Sequence, residues 1–247
     1  INNLKAKQGG SIENVLAALE AKKQKYDFLN EYEANRRIVL AELEKSYDKL
    51  VKTADNISKI RKKAAAGLEK EITQALMELN FLSVDFRIDF KPLEKPSVNG
   101  MDHVEYLISV NPGEEPKPLA KVASGGELSR IMLAIKTVLA DQDEIDTLIF
   151  DEIDTGISGR TAQMVANKLD QIARKRQVIC ITHLPQIAAM AKKHFGIIKS
   201  IKDNKTVTNI TELDYDGSVM ELARMLGGDS VTDTAVSNAR ELKRYTP

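Results

Sequence analysis

Two hydrophobic periodicities divide the chain. From residue 11 to about residue 79 the sequence is highly charged, contains no proline and has a single glycine, Gly67. Every seventh position from Tyr26 gives Tyr26, Glu33, Leu40, Tyr47, Ala54, Arg61 and Leu68. A second ladder, offset by three, gives Leu29, Arg36, Leu43, Leu50, Ile57 and Ala64. Interleaved ladders of this kind are the a and d positions of a coiled coil. Glu33, Arg36 and Arg61 interrupt the seam, which is best between Leu40 and Ile57. After Leu68 the phase drifts to Ile72, Leu76 and Leu79, closer to the 3.6 period of a helix docked on a globular body. About 70 helical residues would span on the order of 100 Å. An ordinary amphipathic surface helix is the simpler alternative, but such helices run roughly 8–20 residues. One arm cannot bury its own seam, so a second helix must come from elsewhere.

Beyond residue 80 the period changes. Val84, Phe86, Ile88 and Phe90 alternate with polar residues, which predicts a half-buried strand ended by Pro92 and Pro96. His103 to Val110 reads as its hairpin partner across a loop containing Asn99 and Gly100. A proline-rich loop, 112–118, leads to a helix over 126–140 with Leu128, Ile131, Met132, Ile135 and Leu139 on one face. Then come a strand at 147–151, a helix at 160–174, a strand at 177–182 and a helix at 185–193. Strands near 195–200 and 206–213 and helices near 218–226 and 231–244 complete the chain. Alternating strands and helices predict an α/β fold with a largely parallel sheet, the early hairpin being an antiparallel addition. The expected domains are a coiled-coil arm over 1–80 and a globular lobe over 81–247.

Composition narrows the class. The 36 basic and 36 acidic residues cancel, so contact with nucleic acid would have to come from local patches. Two such patches exist, Lys59–Lys63 and the group Lys192, Lys193, Lys199, Lys202 and Lys205, although a solvated helix face or loop explains either. The lone Cys180 excludes an internal disulfide framework, and its apolar run suits a buried thiol. No apolar run of about 18 residues occurs, so no spanning helix is expected. No secretory pattern opens the chain. The first residue is Ile1, not Met, which fits a piece of a longer chain from a soluble, intracellular protein.

Three motifs carry the chemistry. Ser124-Gly125-Gly126-Glu127 lies just before a helix. Its glycines admit close backbone approach, and the helix N-terminus offers free N–H groups to an anion such as a phosphate. Simple capping by Ser124 would also explain it. Leu148-Ile149-Phe150-Asp151-Glu152 is an apolar strand ending in paired carboxylates, the Walker B pattern. There the aspartate holds Mg²⁺ and the glutamate takes a proton from the attacking water. Both can reach one site only if the chain turns after Asp151, since strand neighbours face opposite sides. Asp154-Thr155-Gly156, then Ser158-Gly159, predict a tight turn with Ser158 capping the next helix. Thr182-His183 ends the neighbouring strand, where an imidazole could hydrogen-bond a terminal phosphate. A structural role is the commoner one for such a histidine, and it is the one expected for His103 and His194. No Gly-x-x-x-x-Gly-Lys-Ser/Thr loop, the Walker A element, is present. Gly227-Gly228 is a turn.

Taken in order, these motifs resemble the second half of an ABC-type ATPase head of the SMC-like branch. Ala123-Ser124-Gly125-Gly126-Glu127-Leu128-Ser129-Arg130, Asp151 through Gly159, Thr182 through Ala188 and Glu221 through Gly228 are similar to the RecN family of bacterial DNA repair proteins. Ala123 departs from the leucine common in the ABC signature. The resemblance implies an ATPase acting in recombinational repair of double-strand breaks, with ATP and Mg²⁺ as cofactors. Its Walker A lobe and first coiled-coil arm would belong to the same protein. Two heads would sandwich ATP as a homodimer, bind DNA and avoid the membrane, in the cytoplasm at the nucleoid. Ser124, Gly125, Gly126 and Glu127 would serve the nucleotide of the opposite protomer. Asp151 (Mg²⁺), the D-loop residues Asp154, Thr155 and Gly156, and the catalytic Glu152 and His183 would serve their own side. This chain alone would be inactive, lacking Walker A. An SMC chromosome organiser, an ABC transporter subunit and a coiled-coil scaffold with a vestigial ATP site are the competing readings. The long charged helix, with no membrane-coupling segment, disfavours the transporter.

Overall fold

A computed structural model describes residues 2–122, 124–142, 144–202, 205–228 and 231–244. Its elements are α1 (Asn2–Lys7), α2 (Ile12–Met77), β1 (Asp85–Ser97), β2 (Gly100–Ser109), β3 (Lys117–Pro118), a 3-10 turn (Leu119–Lys121) and α3 (Gly125–Val138). There follow β4 (Thr147–Phe150), α4 (Gly159–Ala173), β5 (Gln177–Cys180), α5 (Pro185–Ala189), β6 (His194–Lys202), β7 (Lys205–Leu213), α6 (Tyr215–Gly227) and α7 (Asp233–Arg244). The chain forms two compact units, Ile1–Arg61 with Pro92–His103, and Lys62–Lys91 with Val104–Pro247.

In the first unit, Gly9 and Gly10 both have positive φ (94° and 85°) between α1 and α2. Ser11 Oγ accepts from Asn14 N at 3.1 Å and opens the long helix. Of the ladder residues, Leu29, Leu40, Leu43, Tyr47, Leu50 and Ile57 are exposed, whereas Ala54 is buried. Near the end of this unit's helix, Ser58 Oγ donates to Asp102 Oδ1 (2.9 Å) and Arg61 Nη1 to the Asn99 carbonyl (2.7 Å).

In the second unit the drift in helical phase has a structural counterpart. Ile72, Leu76 and Leu79 are fully buried against Phe86, Ile108, Ile131, Ile135, Phe150, Ile153, Val165 and Ile172. Asn80 stops the helix by adopting φ +66°, and Phe81 N returns to the Leu76 carbonyl at 3.3 Å. That is the left-handed termination asparagine tolerates better than most residues. A second cluster, Val219, Leu222, Ala223, Ala235 and Ala239 with Ala188 and Ala189, holds α5, α6 and α7 together.

Two expectations are corrected. β1 does not end at the prolines but runs through Pro92 and Pro96 to Ser97. The sheet order β1-β2-β3 places β1 at an edge, where a residue without an N–H costs no ladder bond on its free side. Among the described residues, parallel pairing is confined to β4 and β5. β6 pairs with β7 antiparallel, from His194 opposite Leu213 to Lys202 opposite Lys205, because a short hairpin closes more readily than a distant pairing. No described helix is long and apolar enough to cross a membrane.

Candidate nucleotide site

β4 and β5 form the floor. Their core face carries Phe150, Leu148, Val178 and Cys180, while Ile149 and Ile179 on the other face are 68% and 45% exposed. Burial, then the charges of Asp154 and Asp151, push the Cys180 thiol up to about 12, which disfavours its thiolate, in keeping with its apolar run.

The strand stops at Phe150, and the chain then turns sharply. Glu152 has φ +56°, a left-handed conformation costly for a residue with a Cβ. Its N–H donates to Asp151 Oδ1 at 2.9 Å, and its carbonyl accepts from Thr155 N at 3.0 Å. This is the turn the adjacent carboxylates required. Both side chains are exposed.

The N-terminus of α3 packs directly on that turn. Ser124 Oγ caps the helix by accepting from Glu127 N at 3.4 Å. A Cβ on Gly126 would lie 2.8 Å from the Thr155 carbonyl and 3.1 Å from the Glu152 carbonyl. Gly126 is buried, and its missing side chain is accounted for by this approach. Gly125 is exposed and lies against the Glu152 carboxylate. Ser129 Oγ donates to the Asp151 carbonyl at 2.8 Å. Arg130, 8% exposed, donates to the carbonyls of Ile153 (3.3 Å) and Thr155 (2.9 Å) and stacks over Phe81 at 5.6 Å. Burial holds its guanidinium below the ordinary arginine value.

Asp154 braces the other side. It is 3% exposed, and its Oδ2 accepts from Thr182 Oγ1 (2.6 Å), His183 N (2.7 Å) and His183 Nδ1 (2.9 Å). The His183 ring is otherwise 73% exposed. With Nδ1 committed to Asp154, Nε2 is the nitrogen available to an incoming group. Gly156, at φ +76°, completes the turn into α4. Ser158 stands at the N-cap of α4 but makes no side-chain cap hydrogen bond, contrary to the capping role expected of it. His194 is structural, its Nδ1 2.8 Å from Ser218 Oγ.

All three motifs therefore meet around the 152–155 turn. Ser129 and Arg130 were not assigned a role from sequence. A signal existed for Arg130, a charged residue on the same helical face as the buried Leu133 and Ala134. Of the basic patches, Lys59 pairs with Asp55 at 2.6 Å and Lys193 with Glu212 at 3.0 Å.

A lobe in which the start of α3, the end of β4 and the histidine after β5 share one turn, preceded by a long heptad helix, has the fold of an SMC-type head domain. The crystal structure of an Smc head domain with coiled coil and joint from Pyrococcus yayanosii has the same fold, with a TM-score of 0.55 at 21% identity, covering 88% of this chain and 40% of that one. Within that class, the chain belongs to the RecN family of DNA repair proteins across the stretch it covers. It is 40% identical to the DNA repair protein RecN of Bacillus subtilis (strain 168) over 257 aligned residues, 98% of this chain and 45% of the relative. RecN of Treponema pallidum (strain Nichols) is 37% identical over 250 residues, 99% of this chain and 44% of that protein. The chain thus spans less than half the length of these relatives. No family model matches it.

Proposed function

We propose that this chain supplies one arm (1–80) and the C-terminal head lobe (81–247) of an ATP-hydrolysing protein that acts in recombinational repair of DNA double-strand breaks. The observation that carries the reading is the convergence of Ser124–Glu127, Asp151–Glu152, Asp154 and His183 on one turn. Mg²⁺, if bound, would neutralise charge on the nucleotide phosphates. Asp151 offers a single exposed carboxylate, a donor set that suits a cation keeping several waters and taking phosphate oxygens. Glu152, at the mouth of the turn, accepts a proton from water; Asp154 orients His183 so that Nε2 points to the terminal phosphate. Ser124 and the helix N-terminus at Gly125 face the nucleotide of a second head, so that hydrolysis depends on head engagement. Thr155 and Gly156 shape the turn that an opposing head would meet. The exposed Ile149 and Ile179 on the β4–β5 sheet, with Ile181 just beyond β5, suit coverage by the Walker A lobe of the same protein. The exposed heptad seam suits its first arm. DNA is the substrate to which engagement would be coupled, in the cytoplasm at the nucleoid.

The test uses the complete protein with Mg²⁺ and DNA. Glu152→Gln is expected to retain ATP binding and to lower turnover by about 100-fold or more, the usual worth of a general base. Unchanged turnover rejects the role of Glu152. This chain by itself is expected to bind ATP weakly, and submicromolar binding by calorimetry would contradict the division of the site between lobes.

A further inference from the structure

Glu152 keeps its left-handed backbone, φ +56°, in the turn after β4. A strained residue holds such a conformation only where its surroundings over-determine it. Ser129, Arg130 and Gly126, all on α3, supply that constraint. Ser129 Oγ donates to the Asp151 carbonyl at 2.8 Å, on the N-terminal side of Glu152. Arg130 Nη1 donates to the Ile153 and Thr155 carbonyls at 3.3 and 2.9 Å, on its C-terminal side. Gly126 approaches the Glu152 carbonyl itself.

Core packing does not call for a guanidinium here. Leu133 and Ala134, on the same helical face, are fully covered, and a well-packed apolar side chain often replaces a buried charge with no loss of stability. The Arg130 charge is nevertheless buried, with backbone carbonyls as its acceptors and the Phe81 ring 5.6 Å away. Phe81 is itself held at the end of α2, where its N–H returns to the Leu76 carbonyl. What the guanidinium achieves is geometric: it fixes the path of the chain on one side of Glu152.

We propose that Arg130, assisted by Ser129, is a positioning residue for hydrolysis, holding the 151–155 turn so that the Glu152 carboxylate stays beside Gly125 at the start of α3. The inference rests on the reading of Glu152 as the proton acceptor. Arg130 acts through Glu152 and not on water or nucleotide directly.

The test is hydrolysis by the complete protein with Mg²⁺ and DNA. Arg130→Met keeps an apolar stem and removes the donors; kcat is expected to fall about tenfold or more while KM for ATP changes by less than about twofold. Arg130→Lys, which keeps a cationic donor, should lie between that variant and the parent. Ser129→Ala removes one hydrogen bond and leaves the core intact; kcat should fall about threefold, again without a KM change. Placed on Glu152→Gln, neither Arg130→Met nor Ser129→Ala should lower turnover further, because the group being positioned is gone. A merely structural role would reduce turnover by the same factor in both backgrounds. Should Arg130→Met not fold, Arg130→Lys and Ser129→Ala decide by the same criteria. Parental kcat in these variants, a raised KM at parental kcat, or losses that multiply fully on Glu152→Gln would overturn the proposal and leave the role of Glu152 standing. Parental turnover by Glu152→Gln itself would remove that role, and this inference with it.

Discussion

The Asp154 carboxylate holds His183 at two points, accepting from its backbone N–H at 2.7 Å and its ring Nδ1 at 2.9 Å through the same oxygen. The turn after β4 and the end of β5 are thereby fixed to one another through a residue that is almost wholly buried. Asp154→Ala removes the acceptor for three donors, Thr182 Oγ1 included. It should cost about 2–4 kcal/mol in urea denaturation, and Asp154→Asn, which keeps one acceptor oxygen, should cost less. A loss below about 1 kcal/mol for the alanine variant would mean that the brace is not structural.

The two glycines at the start of α3 should separate in their effects. Gly126→Ala places a methyl against backbone atoms of Thr155 and Glu152, so the turn must shift; a loss of about 1–3 kcal/mol is expected. Gly125→Ala meets only the movable end of the Glu152 side chain, and a helical alanine recovers up to about 1 kcal/mol relative to glycine. That variant should melt near the parent temperature while hydrolysis by the complete protein falls. Equal destabilisation by both would refute the distinction.

Glu152 carries the strain of its left-handed backbone. Glu152→Gly should therefore raise stability by about 1 kcal/mol while abolishing turnover. Chemical denaturation and an ATPase assay on the same preparation would read both; destabilisation would show that the contacts of the side chain outweigh the strain.

Burial, reinforced by the Lys243 ammonium and opposed by Glu221, lowers the His194 value below the ordinary 6.5. The unfolded chain then binds a proton that the folded one resists. Stability from this group is complete above about pH 6.5 and declines as pH falls from there toward the depressed folded value. Urea midpoints between pH 7.5 and 5 should fall more steeply for the parent than for His194→Gln. Identical slopes would remove His194 as the cause.

The helix of 66 residues was legible because its apolar spacing is local, and so was its change of phase at Ile72, Leu76 and Leu79. The order of the glycine pair, the carboxylate pair and the histidine also stood in the sequence. The extent of β1 did not, since Pro92 and Pro96 read as terminators until an edge position made them harmless. Nor did the isolation of the β4–β5 pair, because which strands meet depends on the path between them.

The sequence by itself determined the elements, their amphipathic faces and the chemical types at the site. Only the tertiary structure decided that Gly126 is needed for packing on Thr155, that Arg130 ties α3 to the turn, that Asp154 is an interior brace and that Glu152 bends against its backbone preference. The reason is physical: periodicity and propensity act between residues a few positions apart, whereas these contacts join residues separated by 23 to 29 positions, and their existence rests on how the whole lobe closes around its core.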